Sequence, residues 1–131
     1  MKLLVDNNLP PVLGRGLGAL FAERHDVVHI KDKFGRGNLP DIEWIDVLGK
    51  EGGWSILSGD RNIAKKKPSR EAFLNAGLIG FFPLPALMKL PLHRQAARIL
   101  TLWPAIEATS GAIERGCFEL GITGSKLRQI S

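Results

Sequence analysis

The chain has 131 residues, 44% of them hydrophobic and 24% charged, and eighteen Lys and Arg against thirteen Asp and Glu leave a net charge of +5. That length buries roughly two thirds of the unfolded surface in one core, so a single domain over residues 1–131 is expected, and the composition excludes a disordered chain. A lone cysteine, Cys117, excludes an internal disulfide and a cysteine-based zinc cluster. No apolar run reaches the ~20 residues of a membrane span, and no targeting segment is evident, so a cytoplasmic location without membrane contact is expected; the basic balance favours a polyanionic partner.

Lys2 to Asp6 reads as a first strand, closing on a carboxylate. Pro10 and Pro11 suit the first turn of a helix, and Leu13, Leu17, Leu20 and Phe21 follow at helical spacing. Val27 to Ile30 reads as a second strand, and a basic, glycine-rich loop through Phe34-Gly35-Arg36-Gly37 leads to Asp41, where a helix carrying Ile42, Ile45, Val47 and Leu48 begins. Gly52-Gly53 ends it. Trp54 to Ser58 is a third strand, Ser69 to Ala76 a short helix and Leu78 to Phe82 a fourth strand. Alternating strands and helices imply a parallel sheet with right-handed crossovers and helices on both faces, an α/β/α three-layer sandwich with a core over about residues 1–85. Beyond it, Leu92 to Trp103 forms a helical stripe with Ala96, Ile99, Leu100 and Trp103 on one side, and Pro104 interrupts or kinks it. Alternation at Phe118, Leu120 and Ile122, followed by Lys126 to Ile130, suggests a hairpin or edge strand within residues 86–131.

On this map Asp6 closes the first strand, Asp41 opens the second helix, and Asp60 follows the third strand in Leu57-Ser58-Gly59-Asp60-Arg61-Asn62. The strand ends and helix starts of a parallel sheet share one edge, so the three carboxylates converge there. Gathered like charges repel unless a cation sits between them, and Mg²⁺ takes few carboxylates and keeps several waters. Taken singly, each has a structural reading as well: Asp41 as an N-cap, Asp60 as a turn residue, Asp6 as acceptor for its own loop. Asn7, Asn8 and Asn62 are placed to orient waters or phosphate oxygens, and Glu43 lies one turn from Asp41. Asn8 also suits a cap on the first helix. Arg61, Lys65, Lys66 and Lys67 follow Asp60, while Lys33 and Arg36 precede Asp41; cations around an acidic metal pocket are what phosphodiester cleavage requires.

Other features carry less chemistry. Gly14-Arg15-Gly16-Leu17-Gly18 is neither a P-loop nor a dinucleotide fingerprint and falls inside a helix, where close packing explains it. His25, His29 and His93 lack metal-ligand spacing, Cys117 has no neighbouring base, and Trp44, Trp54 and Trp103 read as packing residues. A phosphoacceptor receiver domain also gathers Asp residues at a sheet edge, but it requires adjacent acids after the first strand and a Lys after the last; Asn7-Asn8 and Pro83-Leu84-Pro85 supply neither.

Asp6-Asn7-Asn8-Leu9-Pro10, His25-Asp26-Val27-Val28-His29, Pro40-Asp41-Ile42-Glu43-Trp44-Ile45 and Ser58-Gly59-Asp60-Arg61-Asn62-Ile63, in that order and spacing, resemble the PIN-like nucleases over about residues 1 to 85. The nearest likeness is the branch of VapC-like toxins whose first strand runs into an Asp-x-Asn-Leu-Pro turn. The resemblance implies an endoribonuclease using Mg²⁺ or Mn²⁺, the toxin of a type II toxin-antitoxin pair, with RNA as substrate, an antitoxin protein as partner and a homodimer as assembly. It places Asp6, Asp41 and Asp60 at the acidic catalytic and metal positions. Two departures stand out: Asn7 where relatives often carry Glu, and Asn62 where they often carry a further Asp. Both reduce the negative charge available to a metal, which keeps a catalytically weak or inactive RNA- or partner-binding module as the alternative.

Overall fold

The computed structural model describes residues 1–131. Its first strand, β1 (Lys2–Val5), is apolar on both faces, as a strand covered by helices on each side must be. Leu3 and Val5 face one core, and Leu4 faces the other. Helix α1 (Pro11–Leu20) starts with Pro11 in its first turn and leads to β2 (Asp26–His29). Helices α2 (Ile30–Phe34) and α3 (Asp41–Glu51) precede β3 (Trp54–Leu57), and α4 (Asn62–Lys65) and α5 (Lys67–Asn75) precede β4 (Ile79–Pro83). The chain closes with α6 (Pro85–Met88), α7 (Leu92–Ala112), β5 (Gly116–Leu120) and β6 (Arg128–Gln129).

The six strands form one sheet in the order β2-β1-β3-β4-β5-β6, parallel throughout except for the antiparallel β5–β6 pair. This is the mainly parallel α/β/α sandwich expected from the element order. Leu13 and Leu17 of α1 pack with Leu87, Ile99, Leu102, Trp103 and Ile106 on one face of the sheet. Trp44, Ile45 and Leu48 of α3 pack with Ile63 and Phe73 on the other. The chain progresses outward in one direction from β1 to β2 and in the other from β3 to β5, so the direction reverses between β1 and β3. Open α/β sheets bind ligands at the carboxyl ends of the strands at such a reversal.

Several elements differ from the sequence reading. Helix α2 occupies the start of the expected basic loop: His29 Nδ1 accepts the Lys31 amide (3.1 Å), and Gly35, at φ 78°, ends the turn. Helix α4 lies within the Arg61–Lys67 run, and Ile42 and Val47 point outward while Trp44 takes the core position. Helix α7 continues through Pro104 to Ala112. An internal proline costs about 3 kcal/mol, and buried Trp103 and Ile106 anchor the helix on both sides of it. Its inward face is Gln95, Ile99, Leu102, Trp103 and Ile106, with Leu100 turned outward. The segment after α7 forms the expected hairpin, β5 pairing antiparallel with β6, which is the edge strand, while β5 itself also pairs with β4 and lies inside the sheet. Residues beyond 85 therefore supply part of the sheet and much of one core layer.

The glycines of α1 follow from its seating on β2. A Cβ at Gly18 would meet the Val27 carbonyl oxygen at 2.8 Å, and one at Gly14 would meet His29 Cβ at 3.0 Å, whereas at Gly16 nothing lies within 4 Å. Gly18→Val should therefore destabilise by about 1–3 kcal/mol through overpacking. Gly16→Ala should stabilise by about 0.5–1 kcal/mol, the usual helix-interior difference. Urea unfolding of the two variants checks the opposite signs; a loss at Gly16 would contradict the open space beside it.

Candidate active site

Backbone pairing carries straight from the sheet into the reversal point. The Asp6 amide donates to the Leu57 carbonyl (2.9 Å), one step beyond the β1–β3 register, and the Ser58 amide donates to Phe81 (3.0 Å). The Asp6 side chain is buried, and both its oxygens are engaged. Oδ1 accepts from the Asn7 amide (2.7 Å), and Oδ2 accepts from Ser58 Oγ (2.7 Å). Ser58 Oγ in turn accepts from the Asp60 amide (3.0 Å), so one buried hydroxyl joins the Asp6 carboxylate to the turn that carries Asp60. Asn8 adds a second lace, its Oδ1 accepting from the Gly59 amide (2.8 Å). Asn8 is thus a tie between two loops and not a cap on α1, whose N-cap is Pro10.

Asp60 Oδ1 accepts from the Asn62 amide (3.1 Å), closing the turn into α4, and Asn62 keeps its own side chain exposed. Asp41 is the first residue of α3 and not its cap, which is Pro40. Its Oδ1 accepts from Trp44 Nε1 (3.0 Å), which fixes the carboxylate against the helix start. Burial pushes the Asp41 carboxyl above its ordinary value; the Trp44 bond opposes this, and the negative charges of Asp6 and Asp60 add to it. Asn7 is exposed but covered on one side by the loop after α2, since a Cβ at Gly37 would collide with its amide and with the Lys31 chain.

The donor set suits a hydrated hard cation held by one or two carboxylates, the usual habit of Mg²⁺. No group of three or more His, Cys, Asp or Glu side chains stands close enough to enclose a metal ion. Asp6, Asp41 and Asp60 form no closed cage, and Asp6 already has both oxygens in hydrogen bonds.

The cations divide into two groups. Arg36 lies beside Glu43 in an exposed pair (3.6 Å), which also accounts for Glu43. Lys65, Lys66 and Lys67 are exposed around the end of α4. Lys33 does not flank the acidic edge. It pairs with Glu51 (3.0 Å) and lies over the Trp54 ring, at the opposite, amino edge of the sheet, because α2 turns back along β2 and α3 ends beside the start of β3. Arg61 is largely withdrawn, with NH2 2.9 Å from the buried carboxylate of Glu119 on β5. Ser58 and Glu119 are not marked by any motif; the one local hint is a Ser-Gly-Asp turn after an apolar strand.

Other candidates are structural. His29 is buried, its Nε2 donating to the Leu9 carbonyl (2.8 Å) while Nδ1 caps α2. Burial pushes the Cys117 thiol up to about 11, which leaves it unreactive. Trp44, Trp54 and Trp103 are all buried. No helix is long and apolar enough to cross a membrane.

A family model described as "PIN like domain" matches residues 1–83, well over half of the chain, and the chain belongs to that family. Membership points to nuclease-type function and to interaction with nucleic acid. No curated protein and no solved structure matches the chain.

The raised Asp41 carboxyl has a definite sign. A carboxyl that holds its proton more tightly folded than unfolded favours the folded state below its unfolded value, and this contribution is lost as pH rises through the folded value. In chelated buffer at neutral pH, Asp41→Asn should melt higher than the wild type, because it removes repulsion with Asp6 and Asp60 while Asn Oδ1 still accepts from Trp44. Near pH 3 the advantage should vanish, and thermal melts across pH read both. A variant that melts lower at neutral pH would show that Asp41 is held by compensating contacts.

Proposed function

We propose that this chain is a metal-dependent endoribonuclease of the VapC-like branch, the toxin of a type II toxin-antitoxin pair. In this reading it acts in the cytoplasm on RNA, is restrained by a cognate antitoxin protein and works as a homodimer. What supports the catalytic part is that Asp6 and Asp60 leave the adjacent strands β1 and β3 at one edge, tied together through Ser58 Oγ, with Asp41 at the start of α3. Membership in the PIN-like family supports the same chemistry.

Asp6 and Asp60 are the residues that would hold Mg²⁺ or Mn²⁺, with Asn7, Asn8 and Asn62 at the rim. The ion supplies Lewis acidity toward a phosphate oxygen and offsets the charge that builds during in-line displacement. Ser58 positions the Asp6 carboxylate through Oδ2 and holds the Asp60 turn through its backbone amide. Asp41, with Oδ1 committed to Trp44 Nε1, keeps its second oxygen to accept a proton from an attacking water, and its raised affinity for protons suits a base. Exposed Arg36, Lys65, Lys66 and Lys67 attract the RNA backbone, while Arg61, neutralised by Glu119, offers hydrogen-bond donors and no net charge.

With Mn²⁺ or Mg²⁺ the purified protein should cut RNA. Asp6→Asn and Asp60→Asn should each lower cleavage at least ~100-fold, and Ser58→Ala by about 10–100-fold, the usual cost of losing a group that orients a ligand. Gel-resolved cleavage of a mixed RNA pool, with circular dichroism to confirm folding, reads the effect. The two Asn departures and the open arrangement of the carboxylates favour a second reading, a binding module without catalysis. RNA left equally intact by the wild type and by Asp6→Asn, across both metals, would remove the nuclease, and RNA retained by that same protein in a gel shift would support the second reading.

A further inference from the structure

Beside the acidic edge, on the α4–α5 face of the sheet, a cavity of about 590 Å³ opens between those helices and the β5–β6 pair. Four cations line it, Arg61, Lys65, Arg70 and Arg128, against one carboxylate, Glu119. Glu119 is buried and already bonded to Arg61 NH2, so it neutralises one cation and leaves the other three without a charge partner in the cleft. The Nε–H of Arg61 meets no acceptor. Leu84, Ala64 and Ile130 supply apolar wall. Like charges this close repel, and an anion between them relieves the repulsion.

We propose that this cleft is a phosphate-binding subsite for a single strand of nucleic acid, holding a backbone phosphate beside the one at the acidic edge. Arg70 and Arg128 make the direct contacts, Lys65 adds charge at the mouth, and the apolar wall accepts ribose or the face of a base. Arg61 follows Asp60 directly, so the cleft and the acidic edge share one turn of chain, and a strand crossing the carboxyl edge reaches both. Guanidinium groups suit phosphate oxygens because their planar donors match them two at a time. The choice of nucleic acid over a free anion rests on the nuclease reading, since only an extended polyanion spans an acidic centre and a separate cationic cleft.

The test is anisotropy of a labelled single-stranded RNA of mixed sequence, titrated with the full chain in chelator over a range of salt. Arg70→Gln/Arg128→Gln should bind about tenfold more weakly, and its salt slope should fall by about 1.4, at ~0.7 per phosphate contact on a single strand. Arg24→Gln/Lys50→Gln removes the same charge far from the cleft and should change the slope little. Lys65→Gln, at an exposed position, should lower the slope by about 0.7 and carries the test if the double variant does not fold. Inorganic phosphate should compete weakly; phosphate that binds tightly while RNA affinity is the same in wild type and double variant would identify a free-anion site and overturn the proposal. An unchanged slope in the cleft variants, or an equal loss in the distant pair, would overturn it too. The chelator suppresses cleavage, so RNA bound through the cleft here but left intact in the separate assay with Mn²⁺ and Mg²⁺ would sink the nuclease reading alone.

Discussion

Parallel pairing of β1 with a strand on each side is the constraint on which the rest of this molecule depends. It sends the chain out of β1 and β3 at the same edge, side by side, with the helices that follow departing in opposite senses. Two loops leaving one edge in this way expose backbone amides that no strand satisfies, and side chains must answer them. Asp6, Asn8, Ser58 and Asp60 do so, each accepting an amide of its own or the neighbouring loop. The same bonds that complete the backbone also draw carboxylates to one place. One set of contacts completes the backbone and fixes the carboxylates on which the proposed chemistry rests, so the structural roles of Asp6 and Asp60 do not compete with that proposal.

Electrostatics gives the edge its character. The protein is basic as a whole, yet Asp6, Asp41 and Asp60 lie at the carboxyl edge of its sheet, and the Asp41 carboxyl is raised chiefly by its burial, with the other two charges adding to it. Around that edge the cations are sorted by the fold. Lys33 is taken to the far edge to cover Trp54, Arg61 is folded back on Glu119, and the exposed cations near the acidic edge are Arg36 and the Lys65–Lys67 run. An acidic centre set among cations lets a polyanion approach a site that would otherwise repel it.

The family match ends at residue 83, yet the chain beyond it is integral to the core. Helix α7 buries Ile99, Leu102, Trp103 and Ile106 against the face that α1 also covers, and β5 extends the sheet beside β4. The same segment brings Glu119 and Arg128 to the cationic cleft. The segment beyond the matched region is therefore placed next to the edge that carries Asp60 and Arg61.

Local information was sufficient for the alternation of strands and helices, the parallel sheet, and the positions of Asp6 and Asp60 just after strands and of Asp41 at a helix start, because apolar period and strand ends depend on residues near in sequence. Short elements were less legible: α2 hangs on a histidine cap and α4 spans four residues, and neither shows a full amphipathic turn. Helix α7 ran past Pro104 because burial against the sheet outweighed a local penalty. Contacts across long separations in the chain were decided by tertiary structure alone. The hydroxyl of Ser58 reaches Asp6 across 52 positions, Arg61 finds Glu119 on a strand beyond the matched region, and Lys33 ends at the opposite edge from the one its sequence neighbours suggested. A side chain's partner is set by which elements pack together, and packing is a property of the whole sheet and not of any segment.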